Sequence, residues 1–225
     1  MEIFDINTVF FTIRWYDMSY LEFFGTIFNI ICVRLASRNN IRNRPIGIIG
    51  VILYIFLFYQ IQLYADFIEQ RYFLITGFYG WRAWSNMKKK KTAKDGELKV
   101  MKTTKKENII YGIIGVIATV LLTFLIMNLS IWFPTLFPEP ASYPYLDALT
   151  TVMSFLATIL MARRKISCWY LWIAVDIIGI RLYYIKGVKF VALEYVIFLI
   201  LATLWLFRWI KIYKQGQKKS DTDMD

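Results

Sequence analysis

The stretch Ile109 to Phe133, IIYGIIGVIATVLLTFLIMNLSIWF, runs for twenty-five residues without a charged side chain. A helix needs roughly 20 predominantly apolar residues to cross the hydrocarbon of a bilayer, and few core helices of water-soluble proteins run that long without a polar face. This segment assigns the chain to a lipid bilayer. Six further windows repeat the pattern: Tyr20 to Leu35, Ile46 to Tyr64, Phe67 to Trp84, Leu146 to Ala162, Trp169 to Ile185 and Phe190 to Ile210. Composition agrees, since 58% of the 225 residues are hydrophobic and 18% aromatic, well above a soluble domain. The expected fold is an all-α integral membrane protein of seven transmembrane helices.

Met1 to Ser19 opens with Glu2 and Asp5, has no basic leading region and is followed by no small-residue cleavage site, so it is expected to be retained as a short helix on the membrane surface. The net charge of +11 is concentrated in four places: Arg34 to Arg44, Lys88 to Lys106, Arg163 to Lys165, and Arg208 to Lys219. With seven crossings, those four places fall on one side. By the positive-inside rule that side is the cytoplasm, which puts the amino terminus outside and the carboxy terminus inside. The opposite loops are expected to hold acids, among them Asp66, Glu69, Glu139 and Asp147. The lysine-rich loop has no interleaved aromatics to stack bases, so no nucleic-acid partner is expected; anionic lipid headgroups are its natural neighbours.

Sliding the chain over itself by 125 positions aligns Tyr20, Leu21 and Glu22 with Tyr145, Leu146 and Asp147. Without a gap, Arg38 then meets Arg163, Tyr59 meets Tyr184, Glu69 meets Glu194, and Trp84 meets Trp209. The first three helices therefore repeat as the last three. A single extra crossing between the copies makes the repeats parallel, in a 3+1+3 arrangement of a kind found in transporters. The implied segments are 1–19 external, 20–85 first repeat, 86–108 basic cytoplasmic loop, 109–133 linker helix, 134–144 external loop, 145–211 second repeat and 212–225 cytoplasmic tail.

Catalytic chemistry has little to work with. The chain contains no histidine and no GxxxxGK[ST] phosphate loop, and no paired carboxylates are expected inside the helices. Cys32 and Cys168 show no metal-ligand spacing and read as packing thiols. Neither enzyme activity, a cofactor nor a metal is expected. Aromatic and amide groups stand out instead. Trp169, Trp172 and Asp176 share one helix face, and a carboxylate at membrane depth either faces a partner, such as Arg181, or serves a function. An aromatic wall beside an acceptor suits a planar ring, cationic or neutral. Gln60, Gln62 and Tyr64 offer amide and phenol groups to sugar hydroxyls, and FYGWRAW contributes Tyr79 and Trp81.

Together YQIQLYA, FYGWRAW, CWYLWIAVD, IKGVKFVALEYVIF and the duplicated three-helix plan resemble the PnuC family of vitamin transporters over about Tyr20 to Lys211. That resemblance implies a SWEET-like fold, a homotrimer, and facilitated diffusion of nicotinamide riboside for NAD biosynthesis, with a cytoplasmic kinase trapping the riboside. It also implies substrate contacts at Trp169, Trp172 and Asp176, at Tyr79 and Trp81, and at Gln60. The chain departs from the family at Gly50, where relatives often carry Asn, and at Leu204 and Trp205, where small polar pairs are common. Thiamine or another nucleoside is the alternative cargo, and a non-transporting membrane scaffold is the alternative class.

Overall fold

The computed structural model describes residues 4–13, 16–37, 43–87 and 100–222, with side chains at 36–37, 43–44, 76, 79–87, 162 and 218–222 outside the description. Among the described residues there are seven helices: α1 (Tyr20–Ser37), α2 (Asn43–Gln60), α3 (Tyr64–Met87), α4 (Lys105–Trp132), α5 (Pro144–Ala162), α6 (Ser167–Ile185) and α7 (Lys189–Thr222). Each corresponds to one apolar window, with α7 running on through the basic carboxy-terminal residues. Four of them, α4, most of α5, α6 and most of α7, are long and apolar enough to cross a membrane. The uninterrupted apolar part of α2, Pro45–Gln60, is shorter. Helices α1 and α3 carry acids in their first turns, Glu22 and Asp66.

The amino-terminal segment is not the surface helix expected. β1 (Val9–Ile13) and β2 (Tyr16–Ser19) form an antiparallel hairpin. The β-branched and aromatic run VFFTI favours a strand, and Phe10 packs its ring against Tyr20, Phe23 and Phe24 of α1.

Helices α1, α2 and α3 pack in order, as do α5, α6 and α7. Because α3 also lies against α5, and α1 against α7, the six close into a ring, with α4 outside it on α5. Only Thr123, Ile126 and Leu129 of α4 are buried, while Val116, Val120, Leu121 and Phe124 stand exposed. Such a face is stable only against hydrocarbon or a further apolar surface.

The turn joining α2 to α3 has a counterpart, 125 residues on, joining α6 to α7. Leu63 N donates to Phe58 O at 3.0 Å and Val188 N to Tyr183 O at 3.1 Å; Gln62 N donates to Tyr59 O at 3.2 Å and Gly187 N to Tyr184 O at 3.1 Å. Both turns need a left-handed residue to close the helix, supplied by Gly187 (φ 83°) and Gln62 (φ 57°). For a side-chain-bearing residue that conformation costs about 1 to 2 kcal/mol. Gln62 offsets it with two bonds, Nε2 to Gln60 O at 2.6 Å and its own carbonyl accepting from Ser142 N at 2.9 Å.

The acids expected in loops are buried in the ring instead. Asp66, Glu69 and Asp147 all lie in helices and are almost wholly covered, whereas Glu139 is a loop residue as expected. Asp147 accepts from Ala65 N (2.8 Å) and Asp66 N (3.0 Å), capping the start of α3 from the other half. Glu22 does the same for α7, accepting from Phe190 N at 2.6 Å and from Val191 N. One helical turn deeper, Glu69 reaches Thr151 and Ser154 on α5, while Glu194 reaches Thr26 and Asn29 on α1 and accepts from the Tyr54 hydroxyl. The caps and the Glu69 and Glu194 contacts across α1 and α5 map onto each other by the same 125-residue shift, whereas the Tyr54 bond does not, because Tyr54 aligns with Gly179. A paired-carboxylate constellation therefore does exist: Asp66 and Asp147 hydrogen-bond each other, and Tyr183 donates to Asp66 at 2.7 Å. Asp66 falls just before the third apolar window and Asp147 at the start of the fifth, so this pair becomes visible only when the chain folds back across 81 residues. Nearby, burial draws the Lys186 ammonium below its ordinary value, with the Asp147 charge opposing; Nζ donates to Ser142 Oγ at 2.9 Å.

Candidate binding site on the sixth helix

Helix α6 carries Trp169, Trp172 and Asp176 at spacings of three and four, which aligns them along one face. The indole Nε1 groups of Trp169 and Trp172 are both buried without a hydrogen-bond partner. Asp176 is 3% exposed, and its carboxyl group has no hydrogen-bond or ion-pair partner among the described residues. The pairing with Arg181 weighed from the sequence is not formed, since Arg181 lies exposed five residues on. A buried polar group without a partner costs roughly 1 to 3 kcal/mol, and a carboxylate more. The two indole donors are such groups, and beside them the Asp176 carboxyl is an acceptor that no described residue uses. Within the matched clusters Glu194 Oε1 and Thr151 Oγ1 also lack an aligned partner, but each belongs to a cluster that is otherwise bonded.

Near the first turn of α6 the Trp169 ring stacks on Trp205 of α7, centroids 6.1 Å apart and 10° from parallel, and meets Trp209 edge-on at 5.5 Å. The Arg208 guanidinium lies 4.9 Å over the Trp205 ring. At the opposite end of the ring, Phe58 and Tyr183, another pair related by the repeat, stack at 5.7 Å within a cluster that includes Leu57, Leu182 and Val191.

Gln60 is placed apart from these residues. It ends α2 at the hairpin end of the bundle, where its amide accepts from Ile6 N at 2.9 Å and donates to the carbonyls of Phe4 (2.7 Å) and Phe56 (3.0 Å). Its counterpart by the repeat is Ile185, nine residues along α6 from Asp176. At about 1.5 Å per residue the two levels differ by roughly 13 Å. Tyr64 is likewise engaged, donating to Glu139 O at 2.8 Å. The side chains of Tyr79 and Trp81 lie outside the described residues. The cross-half caps were not read from the sequence, although the repeat alignment held their signal by placing Glu22 on Asp147 and Glu69 on Glu194; for the Tyr54–Glu194 bond it held none, since Tyr54 aligns with Gly179.

A family model described as nicotinamide mononucleotide transporter matches residues 19–211. The chain belongs to that family. Its members are membrane transporters rather than enzymes. The nicotinamide riboside transporter PnuC of Escherichia coli (strain K12) is 31% identical over 212 residues, covering 87% of each chain. The riboflavin/roseoflavin transporter RibM of Streptomyces davaonensis is 26% identical over 204 residues, covering 88% of this chain and 86% of the relative. Among solved structures, the crystal structure of the vitamin B3 transporter PnuC superposes with a TM-score of 0.61 at 25% identity, covering 87% of this chain and 83% of that one.

Proposed function

We propose that this protein carries nicotinamide riboside across the cell's inner membrane by facilitated diffusion, as a step in NAD precursor uptake. The observation that carries this reading is the α6 face: Trp172 gives a flat wall and an N–H donor, and Asp176 an acceptor for a hydroxyl or a counter-charge for a pyridinium. Trp169 borders the same face, and Tyr79 and Trp81 of α3 remain candidates for the opposite wall. Gln60 is a contact only in a state where residues 4 to 6 have left its amide.

The riboside is favoured over its phosphorylated form. The buried titratable side chains of the described ring, Glu22, Asp66, Glu69, Asp147, Asp176 and Glu194, are all acids, so no buried cation among the described residues is available to pair with a phosphate. Thiamine or another nucleoside remains the alternative cargo, and riboflavin joins it through the similarity to RibM. The helices are read as a 3+1+3 parallel repeat of SWEET-like type, supported by the matched turns and matched carboxylate bonds. The exposed face of α4 suits contacts between copies in a homotrimer. A cytoplasmic kinase acting on the riboside makes net uptake possible without coupling to an ion.

Labelled nicotinamide riboside should enter liposomes holding the purified protein until inside and outside concentrations are equal. Accumulation driven by a proton or sodium gradient alone contradicts the passive mechanism, and no entry of any vitamin or nucleoside leaves the scaffold reading. Orientation is checked in intact cells, where Asn7→Cys should react with an impermeant thiol reagent and Ser220→Cys should not.

A further inference from the structure

Trp169 and Trp172, three residues apart on one side of α6, together offer more aromatic surface than a single-ring ligand needs. A fused three-ring ligand needs both; a pyridine needs one. In this structure the two indoles are not equally free. The Trp205 indole lies parallel to Trp169, 10° from coplanar, and occupies the place a second flat ring would take. The Arg208 guanidinium over the Trp205 ring holds that stack in position, while Trp209 meets only the edge of Trp169. The neighbouring Leu204 points away and is exposed, so of this pair only Trp205 addresses α6. Its counterpart in the first half, by the 125-residue shift, is Gly80, which has no side chain to place at the equivalent point.

We infer that Trp205 is the residue that sets ring size: it acts as a built-in occupant of the Trp169 surface and confines aromatic cargo to a single ring against Trp172. This rests on the riboside reading above and adds to it the residue that limits the width of the aromatic cargo. Removing the occupant exposes Trp169, including its unpartnered Nε1 donor, and extends the wall to the width of an isoalloxazine.

The test is binding of nicotinamide riboside and of riboflavin to the full-length protein in lipid nanodiscs, by titration calorimetry, for the wild type, Trp205→Ala, Trp205→Phe and Trp209→Ala. Thermal unfolding without ligand reports the fold of each variant, and Trp205→Leu, which keeps an apolar side chain at that point of α7, replaces Trp205→Ala if the latter fails to fold. Trp205→Ala should tighten riboflavin binding tenfold or more while changing riboside affinity less than threefold. Trp205→Phe should return most of the discrimination, and Trp209→Ala should leave the ratio of the two affinities unchanged. A ratio that stays within threefold of wild type in a folded Trp205→Ala or Trp205→Leu protein overturns the assignment while leaving the riboside reading intact. A wild-type protein that binds riboflavin as tightly as the riboside also overturns it. A wild-type protein that binds neither ligand overturns both.

Discussion

The two halves of the ring share their helix caps and turns, but not the bonds of Tyr54 and Tyr183 or the face of α6. Glu22 and Asp147, Glu69 and Glu194, and the turns at Gln62 and Gly187 occupy equivalent places and make equivalent bonds. The middle helices break the pattern. Where α6 has Trp169, Trp172 and Asp176, α2 has Arg44, Gly47 and Val51. A Cβ on Gly47 would lie 2.7 Å from Cys32 Sγ, so the first half is filled at that point by a thiol from α1; the residue equivalent to Cys32 is the smaller Ala157. The caps and turns that the halves share hold them together, and the α6 face, which they do not share, is the site proposed for cargo.

The strongest way to break this comparison is to remove a shared acid. Asp147→Ala leaves the buried N–H groups of Ala65 and Asp66 unpaired, a loss of roughly 2 to 6 kcal/mol at about 1 to 3 each. Glu22→Ala should cost a similar amount through Phe190 and Val191. Thermal unfolding in detergent measures both; a large loss for one and none for the other shows that the matched bonds are not equivalent. Next in size is Trp172→Ala, which should weaken riboside binding roughly tenfold, about 1.4 kcal/mol, with the unfolding midpoint little changed. Asp176→Asn should follow, weakening a positively charged riboside more than a neutral nucleoside in parallel titrations; equal affinities before and after for both ligands make Asp176 structural. The smallest effect belongs to Gln60→Leu. It loses bonds worth about 1 kcal/mol each to the amino-terminal segment, so amide exchange at residues 4 to 8 should quicken while riboside affinity stays within threefold. A tenfold loss there would bring Gln60 back among the cargo contacts.

The seven helices were legible because each is an apolar run set off by charges, and the α6 face because its residues recur at helical spacing. The duplication was legible because Tyr20-Leu21-Glu22 and Tyr145-Leu146-Asp147 both open their copies. What escaped was long-range bonding. Asp66 and Asp147 read as loop acids because hydropathy has no means of pairing a charge with backbone N–H groups some eighty residues away. The bonds of Gln60 to Phe4 and Ile6 escaped because nothing in YQIQLYA announces those partners. The hairpin escaped because its strands, five and four residues long, are too short for alternation to stand out.

The crossed caps also govern the order in which the protein can be assembled. Ala65 and Asp66 leave the ribosome 81 or 82 residues before Asp147, and Glu22 precedes Phe190 by 168. At roughly 5 to 20 residues per second, α3 waits about 4 to 16 s for its acid, and α1 waits twice as long for the helix it serves. Through that interval α3 sits in or beside the bilayer with its leading amides open to water or to lipid headgroups, and neither half is finished before the other. A nascent chain that stalls ahead of α7 has no settled half to fall back on, so this duplicated protein matures as one unit, at its last helix.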